Sequence, residues 1–256
     1  MNFWKIFLAT FFLLTSGVIA SPSRNLTILS EPNMVMALTK IGRLYSQKSN
    51  VTVSINFNSS AELVSEVDYG EPADVFISAH YGSIEAMHHK GLVDVYNIGY
   101  IARDDLVLTT NKLHLKSAPK DLKKKGINLE EALRILDSEG LPVITDNEGN
   151  SSGNLSLDII KKFNFNNIKI CKRLSEDKTP FLTLVRNNKE SYALMFASQV
   201  KDMDDLEVLA KKNDENIFYQ ALVIAGDNMD VAREFLKFLK SKPAKKILRE
   251  NGFITD

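Results

Sequence analysis

The chain has 256 residues, 44% of them hydrophobic and 25% charged, with 32 basic and 32 acidic side chains and a formal net charge of zero. That balance supplies enough apolar material for ordinary cores and excludes a global charge bias toward nucleic acid or anionic membrane. A single cysteine, Cys171, excludes an internal disulfide and a lipid-bearing cysteine just behind an export signal.

The first element is an export signal. Lys5 precedes an apolar run from Ile6 to Leu14, and Val18 and Ala20 place small residues at positions minus three and minus one of a cleavage point before Ser21. The run is shorter than the roughly 18 residues of a membrane span, so the cleaved product is expected in the periplasm without membrane insertion. About 236 residues then remain, enough for one large domain or two lobes.

Strands and helices alternate from there. LTIL (26–29) precedes a helical pattern over 33–47, VTVSINF (51–57) precedes a helix opening at SSAE, and ADVFIS (73–78) precedes YGSIEAMHHKG, where Gly91 suits a left-handed C-cap. Three successive strand–helix units predict a mostly parallel sheet with helices on both faces, because each crossover must return the chain to the same end. DLVLTT (105–110) is a further strand. NLEEALRILDSEG follows as a helix capped by Asn128 and ended by Gly140, then the strand LPVIT (141–145) and the helix LSLDIIKKF. A helix is expected from Thr179-Pro180, then the strands SYALMF (191–196) and FYQALVIA (218–225), and two final helices, VAREFLKFLKS and PAKKILRENG. The fold class is α/β. No flexible tether separates the parts, so two lobes would be joined by strands.

Three turns share one geometry, a strand running into a polar turn that opens a helix: SEPN (30–33), FNSSAE (57–62) and EGNSSGN (148–154). Helix starts carry unpaired N–H groups and partial positive charge, so several converging on one point can hold an anion without lysine or arginine. Taken singly, each turn also reads as a helix cap, and Ser59-Ser60-Ala61-Glu62 has the form of a capping box. Residues 149–153, GNSSG, match the pattern of a hydrolase nucleophile elbow, with Ser151 as the serine. All four histidines precede it, whereas the base of an α/β-hydrolase follows its serine, so ligand holding is the preferred reading and no catalytic residue is assigned. His88 and His89 are adjacent on a helix and face different directions, so no metal site is assigned. Asp74 suits either acid–base work or capping of a buried strand.

FNSSAELVSEVDYGEPADVFISA, read with NMVMALTKI before it and DNEGNSSGN and SYALMF after it, resembles the periplasmic molybdate-binding proteins of ABC importers, above all at Gly70-Glu71-Pro72-Ala73-Asp74-Val75-Phe76-Ile77-Ser78. The resemblance covers most of the mature chain. It implies a type II periplasmic-binding-protein fold whose two lobes, 26–107 with 220–256 and 108–219, close on a tetrahedral dianion, molybdate or tungstate, with no cofactor. It further implies delivery to a membrane permease with a cytoplasmic ATPase, no nucleic-acid partner and a monomer. The family's ligand contacts fall on Asn33, Ser60, Ser152, Phe196 and the neighbourhood of Lys178. Asn33 puts an amide where the family has a hydroxyl, and Phe196 lacks the family's phenol. Sulfate, another oxyanion or a small organic acid remain alternative ligands; an exported serine hydrolase using Ser151 and a sensor subunit remain alternative functions.

Overall fold

Asn50 adopts the left-handed conformation (φ 54°) that asparagine tolerates, and it ends one helix exactly one residue before the next strand begins. Sharp junctions of this kind build the chain, whose computed structural model describes residues 24–172, 180–188, 191–212 and 217–256. The export signal and Lys178 lie outside the described residues.

The first sheet takes β1 (Arg24–Ser30), β2 (Val51–Phe57), β3 (Val75–Ser78), β4 (Val93–Asp104) and, from the far end of the chain, β10 (Ile217–Ile224), in the order β2-β1-β3-β10-β4. The second takes β5 (Leu106–Asn111), β6 (Pro142–Thr145), β7 (Lys169–Lys172), β8 (Tyr192–Phe196) and β9 (Leu206–Lys211), in the order β7-β6-β8-β5-β9. Two five-stranded sheets flanked by helices form the expected two-lobed α/β architecture. The expectation of mostly parallel sheets needs refinement. In each sheet two pairings are parallel and two are antiparallel, because β10 runs against β3 and β4, and β5 against β8 and β9. These are the strands that carry the chain between sheets, so they return in the opposite sense.

Side-chain alternation fills both faces of each sheet. Leu26 and Ile28 of β1 pack with Leu38 and Ile41 of α1 (Val35–Ser49), Phe235 of α8 (Met229–Leu239) and Leu248 of α9 (Lys242–Glu250). Leu29 points the other way, to Leu63 of α2 (Ser60–Asp68) and Met87 of α3 (Tyr81–His89). Tyr192 and Leu194 of β8 face α4 (Leu129–Ser138) and α5 (Ser151–Lys162), while Ala193 and Met195 face α6 (Phe181–Asn187). Each large apolar side chain so buried stabilises by about 1.5–3 kcal/mol.

Local signals act as read. Gly91 and Gly140 sit at φ 67° and 60° behind α3 and α4. Asn128 accepts a hydrogen bond from Glu131 N at 2.9 Å and caps α4. Asn128→Ala is therefore expected to lower stability by about 1 kcal/mol in urea denaturation. Asp74 accepts from Thr27 N at 2.7 Å and ties β1 to β3, the structural member of its two readings.

Candidate functional site

β1 ends in Ser30, and Glu31 follows before Pro32. Proline disfavours the helical region for the residue before it, and Glu31 is extended (φ −69°, ψ 150°) ahead of the short 3-10 turn Pro32–Met34. Its carboxyl group points inward, leaving the residue 2% exposed.

Two helix starts meet it there. In the first lobe Ser59 caps α2, accepting from Glu62 N at 3.3 Å and donating to Glu62 Oε2 at 2.7 Å. Ser60, one residue on and fully buried, donates instead to Glu31 Oε1 at 2.5 Å. Ser78, at the end of β3, donates to the same oxygen at 2.7 Å and lies 2.8 Å from the Ser60 hydroxyl. From the second lobe, Ser151 opens α5; its hydroxyl donates to Glu31 Oε1 and its N–H to Oε2 at 3.3 Å. The lobes also touch through Ala61 N and Gly149 O, 3.3 Å apart. Three hydroxyls and one helix-start N–H thus surround a single carboxylate. Burying such a group costs several kcal/mol, and hydrogen bonds of about 1.5–3 kcal/mol each offset it, with no basic side chain among the described residues bonded to it.

Beside this cluster lies a cavity of about 670 Å³ between the lobes, walled by Glu31, Asn33 and Ser59 on one side and Asn150, Ser152 and Gln199 on the other. Glu62, Asp146 and Asp202 also reach it, and among the described lining residues there is no lysine, arginine or histidine. Amides, hydroxyls and carboxylates share the wall with apolar side chains, among them Met36, Phe57, Phe181 and Met203.

The residues expected from sequence divide as follows. Asn33 and Ser152 line the cavity, and Ser60 stands behind it, joined to it through Glu31. The Ser152 hydroxyl makes no hydrogen bond among the described residues, while its carbonyl accepts from Ser156 Oγ at 2.5 Å. Phe196 is not in the cavity wall. It sits in β8 opposite Leu106, is 1% exposed, and stacks edge-on against Tyr219 with ring centres 6.2 Å apart.

Sequence reasoning missed Glu31, Ser78 and Tyr219; for the GNSSG serines it preferred ligand holding to nucleophilic attack, but it named Ser152 and not Ser151 as the contact. Tyr219, from a different strand, places a buried phenol against Asn33 Nδ2. Complete burial holds its pKa well above the ordinary range, so it remains an O–H group. Asn33 Oδ1 and Asn150 Oδ1 are buried without partners among the described residues. His80 caps α3, accepting from Ser83 N at 3.2 Å, and burial lowers its pKa, which keeps the ring a neutral acceptor. Among the described residues no group of three His, Cys, Asp or Glu is placed to hold a metal.

This geometry can be set beside known proteins. A model of the bacterial extracellular solute-binding protein family matches residues 26–254. The molybdate-binding protein ModA of Haemophilus influenzae is 25% identical over 245 residues, covering 93% of this chain and 92% of that protein. Its Escherichia coli namesake is 22% identical over 234 residues, covering 89% and 88%. Among solved structures, the sulfate-binding protein SubI from Mycobacterium tuberculosis superposes with a TM-score of 0.69 at 15% identity, over 90% of this chain and 86% of that one.

Proposed function

The chain belongs to the bacterial extracellular solute-binding protein family, and on that premise we propose that it is the periplasmic solute-binding component of an ABC importer, capturing molybdate or tungstate between its lobes and delivering it to a membrane permease driven by a cytoplasmic ATPase. The observation that carries the reading is the donor set behind the cavity: the hydroxyls of Ser60, Ser78 and Ser151 and the helix-start N–H of Ser151, gathered on the Glu31 carboxylate as they would be on an anionic guest. Neutral donors and helix dipoles suit an anion held between two lobes that must part again. Asn33 and Ser152 extend the set.

The crossings between sheets, from Asp104 to Leu106 and from Lys211 to Ile217, support two lobes with boundaries a few residues away from those expected, near 24–104 with 217–256 and 106–211, because β5 belongs wholly to the second sheet and β10 to the first. The chain is proposed to act as a monomer after removal of residues 1–20. Binding, and not hydrolysis, is the favoured use of Ser151, since its hydroxyl is engaged by Glu31 and not by an imidazole.

Cavity size favours a second reading. About 670 Å³ is the scale of a site for a small organic molecule, and the serine ring already accommodates a planar carboxylate, so a small organic acid is the alternative ligand. Calorimetric titration with molybdate, tungstate, sulfate, phosphate and simple carboxylic acids separates these. The proposal expects saturable 1:1 binding of molybdate or tungstate ahead of the others, weakened about 10- to 100-fold in Ser60→Ala, since one hydrogen bond to a charged group is lost. Binding of organic acids alone would select the second reading.

A further inference from the structure

Glu31 makes the contacts that an anionic guest would need, yet it belongs to the protein. Its Oε1 takes the hydroxyls of Ser60 and Ser78 from the first lobe and of Ser151 from the second, and its Oε2 takes the Ser151 N–H. A glutamate serving only its own lobe's core would have no reason to bond the start of a helix in the other. Around it the lobes approach closely. A side-chain carbon added at Gly149 would stand 3.2 Å from Ser59 Oγ and 3.3 Å from Ser59 Cβ, so glycine there permits the approach. We propose that Glu31 is an interlobe latch: a tethered carboxylate that closes the cleft through Ser151 and that an incoming anion must displace to reach Ser60, Ser78 and Ser151.

The consequence is arithmetic. A ligand that needs the unlatched state has its apparent affinity reduced by the fraction of molecules unlatched, so a latch engaged nine times in ten weakens binding tenfold. Attraction between the carboxylate and the α5 start favours the latched state, and repulsion between Glu31 and a bound dianion makes the two mutually exclusive. The latch rests on the solute-binding reading only for the identity of its competitor. Closure by Glu31 is a property of the protein alone.

The test uses residues 21–256 carrying Cys171→Ser, with spin labels at Glu71→Cys and Lys161→Cys, near the outward ends of α2 and α5, and distances read by pulsed dipolar spectroscopy without added anion. A single short distance is expected with Glu31 present, and a broader, longer distribution in Glu31→Ala. Glu31→Gln keeps the side chain's length while removing its charge, and is expected to fall between them; it carries the test if thermal melting shows that the alanine variant does not fold. Molybdate should restore the short distance in Glu31→Ala with at least tenfold tighter binding than with Glu31 in place. Unchanged distances in both variants overturn the latch, and so does unchanged or weaker molybdate binding in a Glu31→Ala protein that opens. If the variant opens and no anion closes it, the latch stands and the oxyanion reading falls.

Discussion

Gly153→Ala is expected to destabilise the protein by at least about 3 kcal/mol, lowering the melting temperature by roughly 6–12 °C for a chain of this length. Gly153 lies in the first turn of α5, and a side-chain carbon there would stand 1.9 Å from Asn147 O and 2.6 Å from both Asn147 C and Asp146 O. All three are backbone atoms, so no side chain can swing aside. The turn at 146–147 and the start of α5 would have to separate, moving Ser151 and Ser152 with them. Close packing, not a left-handed backbone, is why glycine ends the GNSSG stretch. Gly226→Ala is the matched control: nothing lies within 4 Å of the added carbon, and a change within about 0.5 kcal/mol is expected. Equal melting of the two variants would contradict the packing described for α5.

The second large effect depends on pH. Asp104 closes β4 at the point where the chain leaves the first sheet, and it is 1% exposed. Its Oδ1 accepts from Asp105 N at 2.8 Å and Ser198 N at 3.2 Å, while Oδ2 is buried without a partner among the described residues. Burial pushes its pKa from the ordinary 3.8 up to about 7, against the opposing pull of those hydrogen bonds. In the unfolded chain the group loses its proton near 3.8, while in the folded protein it keeps it until about 7. Stability therefore falls as pH rises through that window, by about 1.4 kcal/mol per unit and about 4 kcal/mol in all, and is fully present only below the lower value. Asp104→Asn retains an acceptor for both backbone N–H groups and carries no charge at any pH. It should be more stable than the parent by about 2–4 kcal/mol at pH 8 and no more stable at pH 4, read from urea denaturation at each pH. A difference that does not vary with pH would show that Asp104 does not hold its proton in the folded state.

The elements legible in the sequence are those whose burial leaves a pattern. α8 places Val231, Ala232, Phe235, Leu236 and Leu239 on one stripe, and β3 is buried along its whole length. The unread strands, β4, β7 and β9, all lie at sheet edges. β7, the sequence KICK, is exposed throughout, and β4 mixes exposed and buried positions around register shifts in its pairing with β10. At an edge the ladder hydrogen bonds come from one neighbour and the side chains need not alternate, so periodicity carries little information.

The site follows the same logic. Polar turns after strands predicted converging helix starts, and α2 and α5 do converge. Nothing local marks Glu31 as the group between them, because an acidic residue before proline in a turn ordinarily reads as solvated. Its burial depends on Ser151, 120 positions away in the chain, and Tyr219 reaches Asn33 across 186 positions. Contacts of that range are fixed by the topology of the two sheets and not by any pattern within a turn.

Crystals of residues 21–256 grown with tungstate test the central claim most directly, through the anomalous scattering of tungsten. One strong peak is expected between the N-termini of α2 and α5, within hydrogen-bond reach of the Ser60, Ser78 and Ser151 hydroxyls, with the Glu31 side chain turned away from them. A peak elsewhere, or none with Glu31 still bonded to all three serines, would contradict it.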